Sequence, residues 1–396
     1  MPFYRRLFDK YNIKPADICS LNDINRIPIL EKEDIRLYHN DLVARTTFRP
    51  ALYKCNTSGT SGKPLTLYRN LHNIGFEHAM IMRQYAWAGV KAIERIATLK
   101  GDLIDGTKIK KGEYWTFSSA ENKLIMSSYH ISESTVDFYI KALTRFEPVA
   151  LDGYPSSIYA LAKFMFEKNI KVQLKAVFTS SETLLTTQKQ LIEFVFNCRV
   201  FDYYGMAERV AAIHTCEHGQ YHIIPEYGYV ELLNCDNDYG DYFEIIGTSF
   251  TNSAMPLIRY RISDIIKIKD NSSICPCGRV YPVVEKIIGR LDDYIVTPSG
   301  KLIGRLDHIF KGISNVVQAQ LYQPDRDHIV LRIVPDKYYQ DQDGEKILNN
   351  LQKRLGEKMM VEIERISDIP RGGRGKFKSV VSNVNEFSSI TERQTA

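Results

Sequence analysis

Between residues 93 and 203 the sequence alternates segments typical of strands with segments typical of helices, and this alternation restricts the fold more than any other feature. The order predicts parallel strands connected by crossover helices, which is an α/β fold. Predicted strands cover residues 93–99, 148–151, 174–179 and 199–203, and predicted helices cover residues 134–145, 156–168 and 186–196.

The regions on either side of this alternation have different patterns. Residues up to about 50 are typical of short helices and turns, and residues 72–87 predict a helix. Apolar segments separated by turn signals, including 229–233 and 242–246, are typical of antiparallel strands. They predict a β-rich subdomain at about 204–285.

The C-terminal part of the chain predicts a small domain of its own. After Asp293 the pattern indicates strand, helix, strand, strand, helix, strand, which is typical of a compact α+β domain. We therefore predict a large N-terminal domain over residues 1–289, containing the parallel sheet and the β-rich subdomain, and a small α+β domain over residues 290–396.

Bulk properties restrict the class of protein and its compartment. A chain of 396 residues with 44% hydrophobic and 25% charged residues is typical of a globular protein with two or more domains. The net charge of +5 is too small to indicate a nucleic-acid surface. The sequence has no apolar run of about 20 residues and no signal peptide, so membrane insertion is not predicted. The 7 cysteines are an odd number and favour a reducing compartment, so we expect a cytoplasmic protein.

The segment 56–65 concentrates hydroxyls, glycines and one lysine, a composition suited to binding phosphates. Glycines allow successive backbone N–H groups to point inward, and the hydroxyls and the ammonium group add donors. It is not a Walker loop, because only two residues separate Gly59 from Gly62 and Pro64 follows Lys63. A surface loop rich in serine and glycine is the alternative interpretation.

Five segments resemble, in the same order, the motifs of adenylate-forming enzymes, the acyl-CoA synthetase and ligase superfamily. These segments are 56–65, 203–208, 259–264, 288–293 and 370–376. A narrower resemblance, to phenylacetate–CoA ligases and the CapK-type proteins of capsular polysaccharide clusters, covers nearly the whole chain. It is carried by segments 127–132, 152–157, 180–184 and 275–279.

The resemblance implies an ATP site. Glu208 would recruit Mg²⁺, Asp264 would accept hydrogen bonds from the ribose hydroxyls, and Tyr204 would flank the adenine. Lys376 would bridge the attacking carboxylate and the α-phosphate, where the developing charge needs a cation. The other nucleotide-binding residues that the resemblance implies are Ser58, Gly59, Thr60, Ser61, Gly62, Lys63, Ser181, Glu182, Tyr203, Gly205, Met206 and Arg290.

The resemblance also implies a pocket for the acid. His130 would act near the substrate carboxylate, although a lone histidine is as often a structural hydrogen bonder. The residues expected to line the pocket are Tyr129, Gly153, Tyr154 and Pro155.

The segment 288–293 resembles the hinge between a large and a small, mobile domain. Asp292 would be the pivot, and an ordinary exposed turn aspartate is the alternative. Two positions depart from the motifs. Ser61 replaces the threonine of many relatives but keeps the hydroxyl, and Ala207 replaces a phosphate-contacting threonine, so that hydrogen bond must be missing or replaced.

Cys275 and Cys277 present two thiols one residue apart and predict a metal site. Cys216 and His222 are the predicted remaining ligands, and His222 is preferred to His218 because the resemblance places a histidine at the head of this strand. Structural zinc sites use four cysteine or histidine ligands in a tetrahedron, so we predict structural Zn²⁺. Unrelated reduced cysteines beside surface histidines are the alternative.

The predicted reaction is ATP-dependent activation of a carboxylic acid to an acyl-adenylate, with release of pyrophosphate and transfer of the acyl group to a thiol. Coenzyme A is the preferred acceptor. An amine, a hydroxyl or a carrier protein in capsular polysaccharide or specialised-metabolite biosynthesis is an alternative acceptor, and plain nucleotidyl transfer is another outcome. An inactive, zinc-stabilised nucleotide-binding protein is an alternative of a different class. The predicted partners are a small carboxylic acid, ATP, Mg²⁺, coenzyme A and Zn²⁺, without nucleic acid, and a homodimer is compatible with the sequence.

Overall fold

The chain consists of two compact units, Met1–Ile287 and Ile288–Ala396. The predicted α/β class is confirmed, with alternating strands and helices in the first unit and a smaller α+β second unit. The computed structural model describes residues 1–56, 65–234, 242–269, 275–290, 295–298, 302–303, 315–355, 359–370, 378 and 380–384.

The first unit begins with helical turns and continues with the predicted alternation. Its described helices are α1 (Pro2–Lys10), α2 (Lys32–Tyr38), α3 (Leu71–Trp87), α4 (Gly106–Ile109), α5 (Val136–Phe146), α6 (Pro155–Glu167) and α7 (Thr186–Phe196). Shorter 3₁₀ turns are found at Pro15–Asp17, Leu21–Arg26, Arg49–Ala51 and Ser128–His130. Among the helices of the described ranges, none has the length and apolar character needed to cross a membrane.

The strands up to residue 290 fall into a short hairpin and one large sheet. They are β1 (Tyr53–Asn56), β2 (Thr66–Arg69), β3 (Ile96–Lys100), β4 (Trp115–Ser118), β5 (Lys123–Ser127), β6 (Ala150–Gly153), β7 (Ala176–Ser180), β8 (Arg199–Gly205), β9 (Ala212–Thr215), β10 (Tyr221–Ile223), β11 (Gly228–Asn234), β12 (Tyr242–Ser249), β13 (Tyr260–Ile268) and β14 (Val283–Arg290). Strands β1 and β2 form the hairpin.

The large sheet is parallel in one half and antiparallel in the other. Over the described residues its order is β11-β12-β13-β14-β10-β9-β8-β7-β6-β3-β5-β4. Strands β8, β7, β6 and β3 are parallel neighbours, as predicted. Strand β5, which was not predicted from the sequence, pairs with β3 in the same direction. The antiparallel region begins where β8 pairs with β9, and it includes the pairs β9–β10, β10–β14, β12–β13 and β11–β12. The predicted β-rich subdomain therefore continues the same sheet.

The helices of the parallel half are held on the sheet by one apolar core. Tyr139 of α5, Ile158 of α6 and Val195 of α7 are fully buried and cluster with Leu151 of β6 and Val177 of β7. Burial of apolar surface of this kind is the main stabilising contribution in a domain. Each crossover helix returns the chain to the end of the sheet where the next parallel strand begins. The carboxyl ends of these strands therefore lie together at the opposite end of the sheet.

The antiparallel half curls strongly. Tyr204 on β8 and Asp264 on β13 are four strands apart in the sheet order, yet the Tyr204 hydroxyl donates to Asp264 Oδ2 at 2.5 Å. A flat sheet would separate these strands by about 19 Å, because neighbouring strands are about 4.8 Å apart, and two side chains cannot span that distance. The curled strands share a second buried core with Tyr4 of α1 and with Leu65 and Leu67 at β2.

The second unit is a four-stranded sheet with a helix packed on one face. Its described elements are β15 (Ile295–Val296), β16 (Leu302–Ile303), β17 (Val316–Asp325), β18 (His328–Pro335), α8 (Asp341–Leu355), β19 (Met360–Arg365) and β20 (Val380–Ser382). The order is β19-β18-β17-β20, in which β17 and β18 are antiparallel and the outer pairs are parallel. Ile347 and Leu351 of α8 pack against Leu331 and Ile333 of β18.

The second unit follows the predicted order from β17 to β19, with strand, strand, helix and strand in succession. The first predicted helix of this domain has its place between β16 and β17, in a segment that lies outside the described residues. Strand β20 was not predicted, because three residues are too few to show a period of two.

Arg259, the residue before β13, links the N-terminal segment to the sheet through an ion pair and two hydrogen bonds. Its guanidinium donates to both carboxylate oxygens of Glu231 on β11, with Nη2 2.9 Å from Oε1. Nη1 donates to the carbonyl oxygens of Asn25 and Ile27 at 2.9 and 2.5 Å. The side chains of the ion pair are only 9% and 13% exposed. Each charge therefore depends on its partner for compensation.

Replacing Glu231 with alanine should lower the free energy of unfolding by about 3 kcal/mol, because the Arg259 charge would stay buried without its carboxylate. Glu285→Ala is the matched control, since Glu285 on β14 pairs with Lys267 but its side chain is 48% exposed. The control should change stability by no more than about 1 kcal/mol. Equilibrium urea unfolding measures both variants, and equal losses would contradict a special role for the buried pair.

Candidate active site

Four predicted site segments lie at one edge of the large sheet. Residues 128–130 follow β5, residues 154–155 follow β6, residues 181–182 follow β7, and residues 204–208 span the end of β8. Strands β5, β6, β7 and β8 all belong to the parallel half of the sheet, and α/β proteins bind ligands at the carboxyl ends of such strands. The fold thus gathers segments that are separated by up to 80 residues in the sequence.

Beside β8, two pairs of residues meet that are far apart in the sequence. The Tyr204 hydroxyl donates to Asp264 Oδ2 at 2.5 Å, and the Tyr260 hydroxyl donates to Glu208 Oε1 at 3.1 Å. Asp264 follows a bulge in β13, where Ser263 has a φ of 65° and the register with β12 shifts. Bulges re-aim side chains near functional sites. Two residues predicted for the nucleotide, Tyr204 and Asp264, are therefore in contact, and the third, Glu208, contacts Tyr260 on the same strand as Asp264.

The hairpin β1–β2, whose two strands flank the predicted phosphate loop in the sequence, contacts the same segment through its described residues. At its base Thr66 Oγ1 donates to Asn56 Oδ1 at 3.1 Å, and Leu65 is fully buried. Arg69 on β2 donates to the backbone carbonyl of Ala207. The residues predicted to contact phosphate, Ser58, Gly59, Thr60, Ser61, Gly62 and Lys63, lie outside the described residues.

Tyr203 lies on the face of β8 opposite to Tyr204, as neighbouring residues of a strand do. Its hydroxyl donates to Glu77 on α3, and the same carboxylate accepts from Tyr227. Burial raises the pKa of both phenols, which keeps them protonated as donors. The structure thus places Tyr203 under α3, away from Asp264, and does not support the expectation that it contacts the nucleotide.

Glu182 links the loop after β7 to the loop after β6. Its Oε2 accepts from the backbone N–H of Ser156, in the first turn of α6, at 3.1 Å. A carboxylate at a helix N-terminus satisfies an unpaired amide and interacts favourably with the helix dipole. Ser181 has a left-handed φ of 73°, which turns the chain toward this contact. The loop with Ser181 and Glu182 is therefore hydrogen-bonded to Ser156, the residue that follows the predicted acid-pocket residues Tyr154 and Pro155.

Gly153 occupies a close approach between β6 and β3. A Cβ at this position would lie 2.5 Å from the carbonyl oxygen of Leu99. The backbone N–H of Tyr154 donates to the same oxygen at 3.2 Å, and Tyr154 is only 7% exposed. Packing alone therefore requires glycine here, whatever the pocket binds.

An ion pair at the ends of β3 and β6 was not identified from the sequence. Lys100 Nζ lies 2.7 Å from Asp152 Oδ2, and the Tyr85 hydroxyl of α3 donates to the same oxygen at 2.9 Å. Burial raises the pKa of Asp102, which interacts with Lys100. The partners are 52 residues apart, and only the parallel pairing of β3 with β6 brings them together.

His130 lies in the 3₁₀ turn after β5 and packs on an aromatic stack. Its ring centroid is 5.5 Å from that of Tyr114, which stacks on Tyr139 at 5.5 Å with 6° between the planes. The Tyr139 hydroxyl donates to the carbonyl oxygen of Ser127 at 2.8 Å. Tyr129, by contrast, is 39% exposed. The stack fixes one face of His130, a contact that sequence spacing did not indicate.

The four predicted metal ligands, Cys216, His222, Cys275 and Cys277, form one cluster. Their ligand atoms all lie within 4.8 Å of one another. Cys216 Sγ is 3.7 Å from Cys275 Sγ, and Cys277 Sγ is 3.5 Å from His222 Nε2. A tetrahedral zinc ion with Zn–S of about 2.3 Å and Zn–N of about 2.05 Å requires separations of about 3.75 and 3.55 Å. These two separations, and the choice of three thiols and one imidazole, fit a zinc ion.

Contacts around the cluster favour His222 over His218 as the fourth ligand. His222 Nδ1 lies 3.3 Å from the carbonyl oxygen of Tyr281, which leaves Nε2 facing the thiols. Ligating histidines usually make such a second hydrogen bond to a carbonyl or carboxylate. His218 instead donates its backbone N–H to Cys216 Sγ at 3.4 Å.

Of the remaining predicted site residues, two lie at or just after the end of β8, and the side chains of the other three are not described. Gly205 ends β8, where a Cβ would lie 2.5 Å from the Tyr203 hydroxyl oxygen, and Met206 packs on the second core. Arg290 ends β14, and only its backbone is described. Lys376 and Asp292 lie outside the described residues.

Comparison with known proteins identifies relatives along nearly the whole chain. Residues 295–383 match the family model of the CapK C-terminal domain. The chain is 27% identical to protein CapK of Staphylococcus aureus over 392 residues, which is 96% of this chain and 85% of that protein. It is 22% identical to the phenylacetate–CoA ligase of Thermus thermophilus over 307 residues, which is 75% of this chain and 67% of the ligase. The predicted resemblance is confirmed.

Two solved acid–CoA ligases have the same fold. A 2-hydroxyisobutyryl-CoA ligase in the postadenylation state, in complex with R3-HIB-AMP, superposes with a TM-score of 0.73 at 19% identity, covering 100% of this chain and 88% of the ligase. The anthranilate CoA ligase AuaEII in complex with anthranoyl-AMP gives 0.56 at 12% identity, covering 89% and 69%. These likenesses confirm the fold of adenylate-forming ligases.

Replacing Gly153 with alanine should lower the free energy of unfolding by about 2 kcal/mol, because the new methyl group would overlap the Leu99 carbonyl oxygen. Gly75→Ala in α3 is the matched control, since a Cβ there would have no atom within 4 Å. It should raise stability by about 0.5 to 1 kcal/mol, because alanine favours a helix over glycine. Thermal unfolding of both variants measures the difference, and two shifts of the same sign would refute the packing explanation.

Proposed function

We propose that this chain activates a carboxylic acid with ATP to an acyl-adenylate, releases pyrophosphate and transfers the acyl group to a thiol, with coenzyme A as the preferred acceptor. The observation that carries the proposal is the meeting of Tyr204 and Glu208 with Asp264 and Tyr260. An adenylation site needs an aromatic surface, a metal-binding carboxylate and an acceptor for the ribose in one place. The phenylacetate–CoA ligase relatives and the acyl-AMP-bound ligase neighbours support the same reaction.

Tyr204 and Asp264 would bind the nucleoside. One carboxylate can accept hydrogen bonds from both ribose hydroxyls, and Asp264 is held for that purpose by the Tyr204 hydroxyl. Glu208, oriented by Tyr260, would hold Mg²⁺, which prefers carboxylate and phosphate oxygens. When bound, Mg²⁺ would compensate phosphate charge.

The remaining groups would act on the reacting atoms. A carboxylate oxygen of the acid forms a bond to the α-phosphorus while the bond to the pyrophosphate oxygen breaks. Lys376 would compensate the charge of this step, and Lys63 with Thr60 and Ser58 would hold the departing pyrophosphate. In the second step a thiolate sulfur attacks the acyl carbon and AMP leaves. Asp292 would be the pivot that withdraws Lys376 between the two steps.

The acid would bind between the loops after β5 and β6. His130 and Tyr129 would lie at its carboxylate, and Tyr154 and Pro155 at one wall, with Glu182 holding that wall to the nucleotide loop. The Tyr114 stack supports one face of His130, which would limit the orientations of its ring.

One observation favours a second candidate acceptor. The CapK alignment covers 96% of this chain, whereas the alignment with the Thermus ligase covers 75%, and the second unit matches the CapK C-terminal domain. The acyl acceptor is bound in the later step, so the same adenylation chemistry would serve an amine, a hydroxyl or a carrier-protein thiol as acceptor.

We also propose that Cys216, His222, Cys275 and Cys277 bind a structural zinc ion. The supporting observation is the agreement of the two ligand separations with those of a tetrahedral site. Four protein ligands leave no open position for a substrate. The ion would join the turn that precedes β14 to strands β9 and β10.

Asp264→Asn should lower kcat/KM for ATP about 100-fold in acid-dependent pyrophosphate release, because a neutral amide replaces a charged acceptor of ribose hydrogen bonds. Lys376→Ala should lower kcat instead, with little effect on ATP binding, because its contact forms in the transition state. A panel of aryl, acyl and amino acids serves as substrates. Lys346→Ala, an exposed lysine on α8, is the control and should behave as the wild type.

Absence of acid-dependent pyrophosphate release with every acid would contradict the enzyme proposal. Release that is unchanged in both the Asp264 and the Lys376 variants would contradict the assigned site. Adding coenzyme A, candidate amines or a carrier protein after adenylation then identifies the acceptor by the product that forms.

The zinc proposal predicts about one zinc ion per chain in purified protein, measured by elemental analysis. Cys277→Ser should lower both the zinc content and the melting temperature, because a hydroxyl is a poor zinc ligand, with a smaller effect on ATP affinity. Cys19→Ser is the control, since this exposed cysteine lies far from the cluster in the sequence. Wild-type protein without zinc, prepared without chelators, would contradict the site.

A further inference from the structure

A row of polar groups crosses the sheet of the second unit and ends where the chain enters β20. Arg332 on β18 lies directly opposite Gln320 on β17 and Glu364 on β19. Arg332 Nε donates to Glu364 Oε2 at 2.9 Å, and Nη1 donates to Gln320 Oε1 at 3.4 Å. Gln320 Nε2 then donates to the backbone carbonyl oxygen of Lys378 at 3.0 Å.

The row fixes the orientation of the Gln320 amide. A guanidinium has donors only, so the amide oxygen must face Arg332 and the amide nitrogen must face Lys378. Arg332 is itself held twice, by Glu364 and by the ring of Tyr322, whose centroid lies 4.6 Å from the guanidinium carbon. Gln320 is only 6% exposed, so its amide has little access to water as an alternative partner.

The carbonyl that Gln320 binds is two residues after Lys376. Two residues span at most about 7 Å, so a fixed Lys378 restricts where the Lys376 backbone can lie. After this point the chain continues into β20, which pairs with β17 from Leu321 onward. Gln320 therefore contacts a backbone carbonyl two residues before β20 begins, on the side of the strand from which the chain arrives from Lys376.

We propose that Gln320 is a positioning residue for adenylation, which fixes the C-terminal end of the segment carrying Lys376 and is itself oriented by Arg332. This proposal rests on the proposed function for the role of Lys376. A catalytic lysine supports the full reaction rate only when its ammonium group is held in the reactive geometry, and small displacements lower that rate strongly. The effect is expected in the step that uses Lys376 and not in acyl transfer.

Gln320→Glu tests the proposal with a change of one group. The carboxylate still accepts from Arg332 but can no longer donate to the Lys378 carbonyl oxygen. We expect kcat for acid-dependent pyrophosphate release to fall about 10- to 100-fold, with KM for ATP within about twofold. Acyl transfer from supplied acyl-adenylate should stay within about twofold of the wild type. Equal losses in both half-reactions, or no loss, would overturn the proposal.

Gln323→Glu is the matched control on the same strand. The Gln323 amide also donates to a backbone carbonyl, that of Arg326 at 3.4 Å, and its oxygen accepts from Ser382 Oγ at 2.9 Å. It is fully buried and contacts the other end of β20. The control should lower the melting temperature at least as much as Gln320→Glu but should not separate the two half-reactions. A selective loss of adenylation in Gln323→Glu would show that general stability of the unit is responsible.

A second readout does not depend on the reaction. Arg371, Arg374 and Lys376 are trypsin sites in the segment that precedes Lys378. Gln320→Glu should increase the initial rate of cleavage at these sites by at least about threefold over wild type and over Gln323→Glu, because the anchor of the segment is lost. Equal rates in the three proteins would overturn the proposal. If cleavage increases while the wild type releases no pyrophosphate, the anchoring stands and the proposed function fails.

Discussion

The curl of the antiparallel half of the sheet is the constraint on which the candidate site depends. A flat sheet would leave Tyr204 and Asp264 about 19 Å apart, too far for the 2.5 Å hydrogen bond that joins them. The curl is filled by one core, to which the N-terminal helix and the residues beside β2 contribute. The same packing therefore brings β13 to β8 and holds the base of the phosphate-loop hairpin beside them.

Strand β14 has a central position in this arrangement, because it lies between β10 and β13 in the sheet order. The turn that precedes β14 carries Cys275 and Cys277, and the other two cluster residues flank and occupy β10. A metal ion in the cluster would therefore fix the start of β14 against β10. The proposed zinc ion would therefore support the curl and, through it, the position of Asp264.

Much of the fold and some contacts of the candidate site could be predicted from the sequence, and particular residues show why others could not. Helix α7 spans the predicted residues. Motifs in a fixed order pointed to Tyr204, Glu208 and Asp264, and the fold places Tyr204 against Asp264 and Glu208 against Tyr260 of the same strand. Tyr203 was placed with them, although the period of two in a strand puts neighbours on opposite faces. Lys100, Tyr114 and Gln320 were missed because their contacts depend on strand pairing or on packing between distant segments, which one sequence does not reveal. Such partners have no local signature.

The contact between Glu182 and the first turn of α6 has a consequence for how this scaffold can change its substrate. One hydrogen bond joins the proposed wall of the acid pocket to the proposed nucleotide loop, so the two loops would not vary independently. If a segment from a relative replaced only residues 153–157, the Glu182 carboxylate would face a first turn of α6 with a different sequence. The hydrogen bond to the backbone N–H at position 156 would then no longer be matched. A change of acid specificity should therefore require paired replacements in both loops. The smallest chimera that keeps the Glu182–Ser156 hydrogen bond would exchange the chain from β6 through the loop after β7 as one block.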